Sequence, residues 1–156
     1  MKGRWIIYGA NGYTGELIAR AAKQRGLEPV LAGRNGTAVE RLAAELGLQS
    51  VVVGLDDAGA LHSALEGAGL VLHCAGPFSA TAAPMIRACL SVGAHYLDIT
   101  GEIDVFEAAH ALDGEARAKG IVVCPGVGFD VVPTDCLAAA LKQALPDATY
   151  LALGFE

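Results

Sequence analysis

One segment constrains this chain more than any other: Gly9-Ala10-Asn11-Gly12-Tyr13-Thr14-Gly15, which follows an apolar run at 4–8 and opens an amphipathic stretch at 13–25. Three glycines spaced GxxGxxG between a strand and a helix are a variant of the dinucleotide-binding fingerprint. Each glycine has a physical task. Gly9 permits the tight turn off the strand. Gly12 lets the backbone approach a pyrophosphate, because no Cβ stands in the way. Gly15 lets the helix lie close on the strand. Free N–H groups and the helix dipole at Ala10 to Gly15 then hold negative charge. Asn11 and Thr14 are candidate donors to phosphate oxygens; alternatively, Asn11 serves the turn and Thr14 the helix cap. Glycine-rich turns also occur where nothing binds, so the context carries the weight: a strand–turn–helix within a βαβ unit spanning residues 1–75. A P-loop is excluded, since no Gly-Lys-Ser/Thr follows.

The rest of the chain repeats that rhythm. Short apolar runs at 29–32, 50–53, 70–74, 95–98 and 121–124 alternate with amphipathic stretches at 37–46, 58–65, 80–92, 103–119 and 133–145. Gly26 and Gly47 stand where helix-terminating glycines belong. The alternation predicts an α/β fold, a doubly wound and mostly parallel sheet of Rossmann type. The run at 70–74 is continuously apolar and is expected to be a central strand, buried on both faces. Residues 148–155 read as one more strand. The expected organisation is a dinucleotide-binding domain over 1–147, the N-terminal part of a longer protein. The stretch 148–156 is then expected to begin a second, substrate-binding domain that is missing here.

The end of the second strand selects the cofactor. An NAD site places Asp or Glu there to accept bonds from the ribose hydroxyls. This chain has Ala32-Gly33-Arg34-Asn35 instead. Gly33 leaves room for a 2′-phosphate, and the Arg34 guanidinium offers a planar fork for it, with Asn35 beside it. NADP(H) is therefore the expected cofactor. Asp56, after the third strand, is placed for an adenine contact, or else caps a helix or faces solvent. Ala75-Gly76-Pro77 follows the fourth strand. In an open parallel sheet, ligands bind beyond the carboxyl ends of the strands where the strand order reverses. These three residues are expected against the ribose and nicotinamide.

With these motifs in place the sequence resembles the NADP-binding domain of the saccharopine dehydrogenase-like family, which includes trans-acting enoyl reductases. The resemblance rests on Gly9 to Gly15, Ala32-Gly33-Arg34 and Ala75-Gly76-Pro77-Phe78. It extends through His95-Tyr96-Leu97-Asp98-Ile99-Thr100-Gly101-Glu102 and Gly128-Phe129-Asp130-Val131-Val132-Pro133-Thr134-Asp135. The first motif is shared with many atypical short-chain reductases; the last two are more specific. The resemblance implies a Rossmann fold, NADP(H) use, hydride transfer to or from a small-molecule substrate, and a separate substrate domain.

No catalytic group is assignable from sequence. Tyr13, Tyr96 and Tyr150 are each followed four residues later by Leu17, Thr100 and Gly154, so a Tyr-x-x-x-Lys pair is absent. Neither a Gly-x-Ser-x-Gly elbow nor a His-Glu-x-x-His metal site exists. Asp98 and Glu102 close the fifth strand and Asp130 follows the sixth; capping and loop bonds compete with any chemical role. His73, inside an apolar strand, reads as a core histidine. His62 and His110 read as surface residues, and His95 has no nameable partner.

The four cysteines form no CxxC pair and group with no histidine, so no metal is expected and the thiols are expected reduced, in the cytoplasm. A net charge of −6 excludes a nucleic-acid footprint and leaves an anionic cofactor to be held by local dipoles and one or two cations. Nor is any apolar run long enough for a membrane span. The expected partners are the dinucleotide, a small-molecule substrate held through the missing C-terminal part, and a second copy of the chain as a homodimer. The leading reading is the cofactor domain of an NADP(H)-dependent oxidoreductase. Its rival is a non-catalytic NADP(H)-binding sensor or scaffold. A third reading, an epimerase with tightly held NAD, is opposed by Arg34.

Overall fold

The computed structural model describes residues 3–129 and 131–154. Asp130 therefore lies outside the described residues. Among the described residues six strands form one parallel sheet in the order β3-β2-β1-β4-β5-β6. They are β1 (Trp5–Tyr8), β2 (Val30–Gly33), β3 (Ser50–Val52), β4 (Leu70–His73), β5 (His95–Asp98) and β6 (Val123–Cys124). The order reverses between β1 and β4, where Tyr8 pairs with His73 in register. The crevice expected from the sequence lies above that junction.

Among the described residues seven helices connect and flank the strands: α1 (Tyr13–Gln24), α2 (Gly36–Leu46), α3 (Ala58–Leu65), α4 (Phe78–Val92), α5 (Ile103–His110), α6 (Asp113–Lys119) and α7 (Val132–Ala144). Side chains alternate across the sheet, and the alternation builds two cores. Ile7 and Leu31 face α1 and α2 and pack with Ala19, Val39 and Leu42. Ile6, Tyr8, Val71 and Tyr96 face the other way and pack with Leu61, Leu65, Met85, Ile86 and Val105 from α3, α4 and α5. Both sheet faces are thus covered, which is why β1, β2 and β4 read as apolar runs rather than as alternating ones.

Most element boundaries fall within a residue or two of the sequence reading, and three departures have physical causes. The helix expected at 103–119 is two helices. Leu112 adopts φ −93°, ψ 4° between them and packs on the core, while Asp113 and Glu115 supply an acidic first turn to α6. Helix α4 begins at Phe78 rather than at residue 80, because the Glu102 carboxylate accepts from the Phe78 and Ser79 amides, each at 2.7 Å. The strand expected at 148–155 does not form over its described part, 148–154; Tyr150, Leu151 and Leu153 are exposed there and pair with no strand. Helix α7 itself has no buried residue. Among the described residues no helix is long and apolar enough to cross a membrane.

Candidate functional site

The site is built at the carboxyl edge of β1, β2 and β4. Leaving β1, the chain turns at Gly9, whose φ of +79° disfavours any side chain. The Gly9 and Ala10 amides both donate to the Ala32 carbonyl, at 2.8 and 3.1 Å, so the turn is tied to the end of β2. A Cβ at Gly9 would meet the Ala75 amide nitrogen at 2.8 Å, so the β1 turn also lies directly against the turn after β4. A Cβ at Gly15 would collide with the Gly9 carbonyl oxygen and stand 2.9 Å from the Ala10 Cα. The first and third glycines are thus dictated by packing inside the protein.

Gly12 is different. Its φ is −79° and its ψ 163°, values open to any residue, and an added Cβ would meet only the Gly9 carbonyl, at 3.3 Å. Asn11, Gly12 and Tyr13 are exposed. Gly12 is the N-cap of α1, and no side chain caps that helix. Neither Asn11 nor Thr14 does so. The first-turn amides of α1 therefore lack both an intrahelical partner and a side-chain acceptor. A bare glycine on an open face, followed by uncapped donors at the positive end of a dipole, is a cradle that a methyl group would fill. It fits a diphosphate.

Arg34 and Asn35 follow β2 and are exposed. Arg34 lies close enough to Tyr8 for its charge to oppose the rise in the Tyr8 pKa that burial causes, while Asp56 adds to that rise. Tyr8 therefore marks where β1, Arg34 and Asp56 converge; its hydroxyl donates to the Val53 carbonyl at 3.1 Å. Two details add to the sequence reading. A Cβ at Gly33 would meet Asn11 Oδ1 at 3.0 Å and Val39 Cγ2 at 3.1 Å, so its bareness serves internal packing. Asn35 caps α2, accepting from the Ala38 amide at 3.2 Å, and Asp57 rather than Asp56 caps α3.

After β4 come Ala75, half-buried, and Gly76 and Pro77, both exposed, with a cis Gly76–Pro77 peptide. Thr81 Oγ1 holds this turn from below. It lies 2.6 Å from the Ala75 carbonyl and 3.0 Å from that of Pro77, so its proton is donated to a carbonyl. It then accepts from His73 Nε2, 3.0 Å away. That places the His73 proton on Nε2 and leaves Nδ1, which has no partner, as a bare acceptor. His73 is fully buried between Tyr8, Phe78 and Tyr96, and burial lowers its pKa to about 4. It is the core histidine expected.

Two of the carboxylates that sequence offered for chemistry, Asp98 and Glu102, are taken up by the protein's own donors. Asp98 is fully buried and accepts from the Tyr96 hydroxyl at 2.6 Å, the Thr100 amide at 3.0 Å and the Gly126 amide at 2.8 Å. Burial first, and this bond second, push the Tyr96 phenol pKa well up. Glu102 caps α4, and the Phe78 and Ser79 bonds hold its carboxyl below the usual range. His95 Nδ1 accepts from the Val122 amide at 2.9 Å, a partner only tertiary structure supplies. The Tyr-x-Asp-x-Thr-x-Glu alternation at 96–102 was the available sign that these polar residues work together. Two surface grooves, one between α4 and α5 and one beside α7, are lined by no residue of the glycine turn.

Residues 5–124 match the model of the saccharopine dehydrogenase NADP binding domain. The mouse saccharopine dehydrogenase-like oxidoreductase is 29% identical over 150 residues, covering 83% of this chain and 35% of the relative. A trans-acting enoyl reductase of Mycobacterium leprae is 29% identical over 156 residues, covering 92% of this chain and 37% of the relative. The chain thus spans little more than a third of the length of these relatives. Apo saccharopine dehydrogenase (L-Glu forming) from Saccharomyces cerevisiae superposes with a TM-score of 0.79 at 15% identity, over 94% of this chain and 32% of that one. The Citrobacter sp. triphenylmethane reductase complexed with NADP(H) gives a TM-score of 0.58 at 17% identity, over 74% and 46%. These two likenesses concern the fold. With a family model covering the whole sheet and the glycine turn at its centre, the chain belongs to the saccharopine dehydrogenase NADP-binding domain family.

Proposed function

We propose that this chain is the cofactor domain of an NADP(H)-dependent oxidoreductase acting on a small-molecule substrate. The observation that carries the reading is the uncapped start of α1 behind Gly12, with Arg34 directly after Gly33, which itself lies against Asn11 of the turn. The Gly9–Gly15 turn holds the pyrophosphate through the free first-turn amides of α1, and Arg34 engages the 2′-phosphate. Asn35 and Asp56 lie on the adenosine side, and Ala75, Gly76 and Pro77 on the nicotinamide side. Bound NADPH supplies the hydride; the protein's part is to hold and orient it. The buried, committed states of Asp98 and His73 leave substrate-side proton transfer to residues elsewhere. Residues 1–147 are then the dinucleotide-binding domain, and 148–156 lead into a substrate domain. The exposed apolar side chains of α7 and of Tyr150 and Leu151 support that boundary. The chain alone binds cofactor without turnover, in a reducing compartment such as the cytoplasm.

Fluorescence titration with NADPH and NADH tests this. Arg34→Ala should weaken NADPH binding by roughly 1.5–3 kcal/mol, the worth of a charge-assisted contact, and leave NADH nearly unchanged. Equal weakening of both would remove the case for 2′-phosphate recognition.

A further inference from the structure

The β5–α5 segment carries a hydrogen-bonded chain of two local turns whose two ends reach distant loops. At one end, Asp98 Oδ1 accepts from the Gly126 amide at 2.8 Å, and the Asp98 carbonyl accepts from the Val127 amide, also at 2.8 Å. The same Oδ1 accepts from the Thr100 amide at 3.0 Å. Thr100 Oγ1 accepts from the Glu102 amide at 3.0 Å. At the other end both Glu102 oxygens accept from Phe78 and Ser79, at 2.7 Å each. Asp98 and Thr100 are fully buried, so the bonds Asp98 accepts do not compete with water, whereas Glu102 is half-buried and its bond to Ser79 is exposed. The two loops so joined, 74–79 after β4 and 125–129 after β6, stand on either side of β5 at the sheet's carboxyl edge.

We propose that Asp98, Thr100 and Glu102 form a bracket that sets the Ala75–Pro77 turn at the height the nicotinamide half of the cofactor needs. They are positioning residues, acting on the cofactor through backbone they hold. The inference rests on the NADP(H) reading above. It assigns a purpose to two carboxylates that sit where a reductase would place acid–base groups yet face backbone N–H donors. The turn has two supports: Thr81 from within α4 and Glu102 from β5–α5. Removing Glu102 releases it on the crevice side alone. Gly9 packs against Ala75, but the Gly9 and Ala10 amides are tied to Ala32 on the β2 side and not to Thr81 or Glu102, so the adenosine half of the site should register the loss far less than the nicotinamide half.

Two ligands separate the halves. NADPH engages both; 2′,5′-ADP engages only the adenosine side. Glu102→Ala should weaken NADPH about tenfold, the equivalent of one lost hydrogen bond, and leave 2′,5′-ADP within about twofold. Thr100→Val keeps the residue's shape and removes the acceptor for the Glu102 amide; it should show the same split in smaller measure. Thr100→Ser restores the acceptor and should restore NADPH affinity. Parallel loss of both ligands in Glu102→Ala and Thr100→Val would mark general damage and overturn the bracket. Unchanged NADPH affinity in both variants would overturn it equally. A parent chain that binds neither ligand would overturn the cofactor reading itself, and the bracket with it.

Discussion

Gly12 and Gly15 sit three residues apart in one motif, yet the structure gives them different work, and one methyl group at each should show it. At Gly15 an added Cβ falls against the Gly9 carbonyl, 2.9 Å from the Ala10 Cα and 3.0 Å from the Gly9 carbonyl carbon. All three neighbours are backbone atoms, so α1 must lift off β1. Overpacking against backbone that cannot step aside falls at the upper end of the usual range, about 2–3 kcal/mol, and the better helix propensity of alanine returns about 1 kcal/mol. The net loss for Gly15→Ala is about 1–2 kcal/mol, or roughly 2–8 °C in Tm for a chain of this size. At Gly12 the methyl meets one atom at 3.3 Å, in a backbone conformation alanine adopts freely. The weaker N-cap and the stiffer unfolded chain nearly cancel, leaving Gly12→Ala within about 0.5 kcal/mol of the parent. The same methyl occupies the space a pyrophosphate needs, so NADPH affinity should fall by more than about tenfold. Thermal unfolding by circular dichroism without cofactor, paired with NADPH titration, reads both effects. A Gly12→Ala protein that binds NADPH as tightly as the parent would refute the idea that this turn holds the diphosphate. A Gly15→Ala protein that melts with the parent would refute the claim that helix–strand contact dictates the third glycine.

Other consequences follow from the buried polar groups. His73 has a pKa of about 4 in the fold against an ordinary 6.5. As pH falls through 6.5 the unfolded chain takes up that proton first, so His73 lowers stability steadily down to pH 4 and no further. The contribution is about 3 kcal/mol in order of magnitude, and His73→Gln should flatten the stability-versus-pH curve between those limits in denaturant titrations. Tyr96→Phe removes the donor to Asp98 Oδ2 and leaves a buried carboxylate oxygen short of a partner. It should cost about 1–3 kcal/mol in urea unfolding, and a variant as stable as the parent would show that this bond contributes nothing net.

What the sequence determined by itself is what local physics carries. Apolar runs separated by amphipathic stretches specify a parallel α/β sheet, because only strands covered on both faces read that way. Glycines at strand ends specify turns, and the absence of an acid beside Arg34 selects the cofactor; none of these needs a distant partner to be legible. Tertiary structure decided the rest. Whether Asp98 and Glu102 do chemistry or hold backbone depends on amides at Gly126 and Phe78, 28 and 24 residues away along the chain. The Phe78 bond, with that of Ser79, also explains why α4 starts early. The bareness of Gly33 serves Asn11 and Val39, which lie beside it only once the sheet has formed. Residues 148–154 have the composition of a strand but lie along neither edge of the sheet, and a strand exists only where another chain segment meets its hydrogen bonds. Local pattern fixes which residues can face inward; only packing brings a donor to each acceptor.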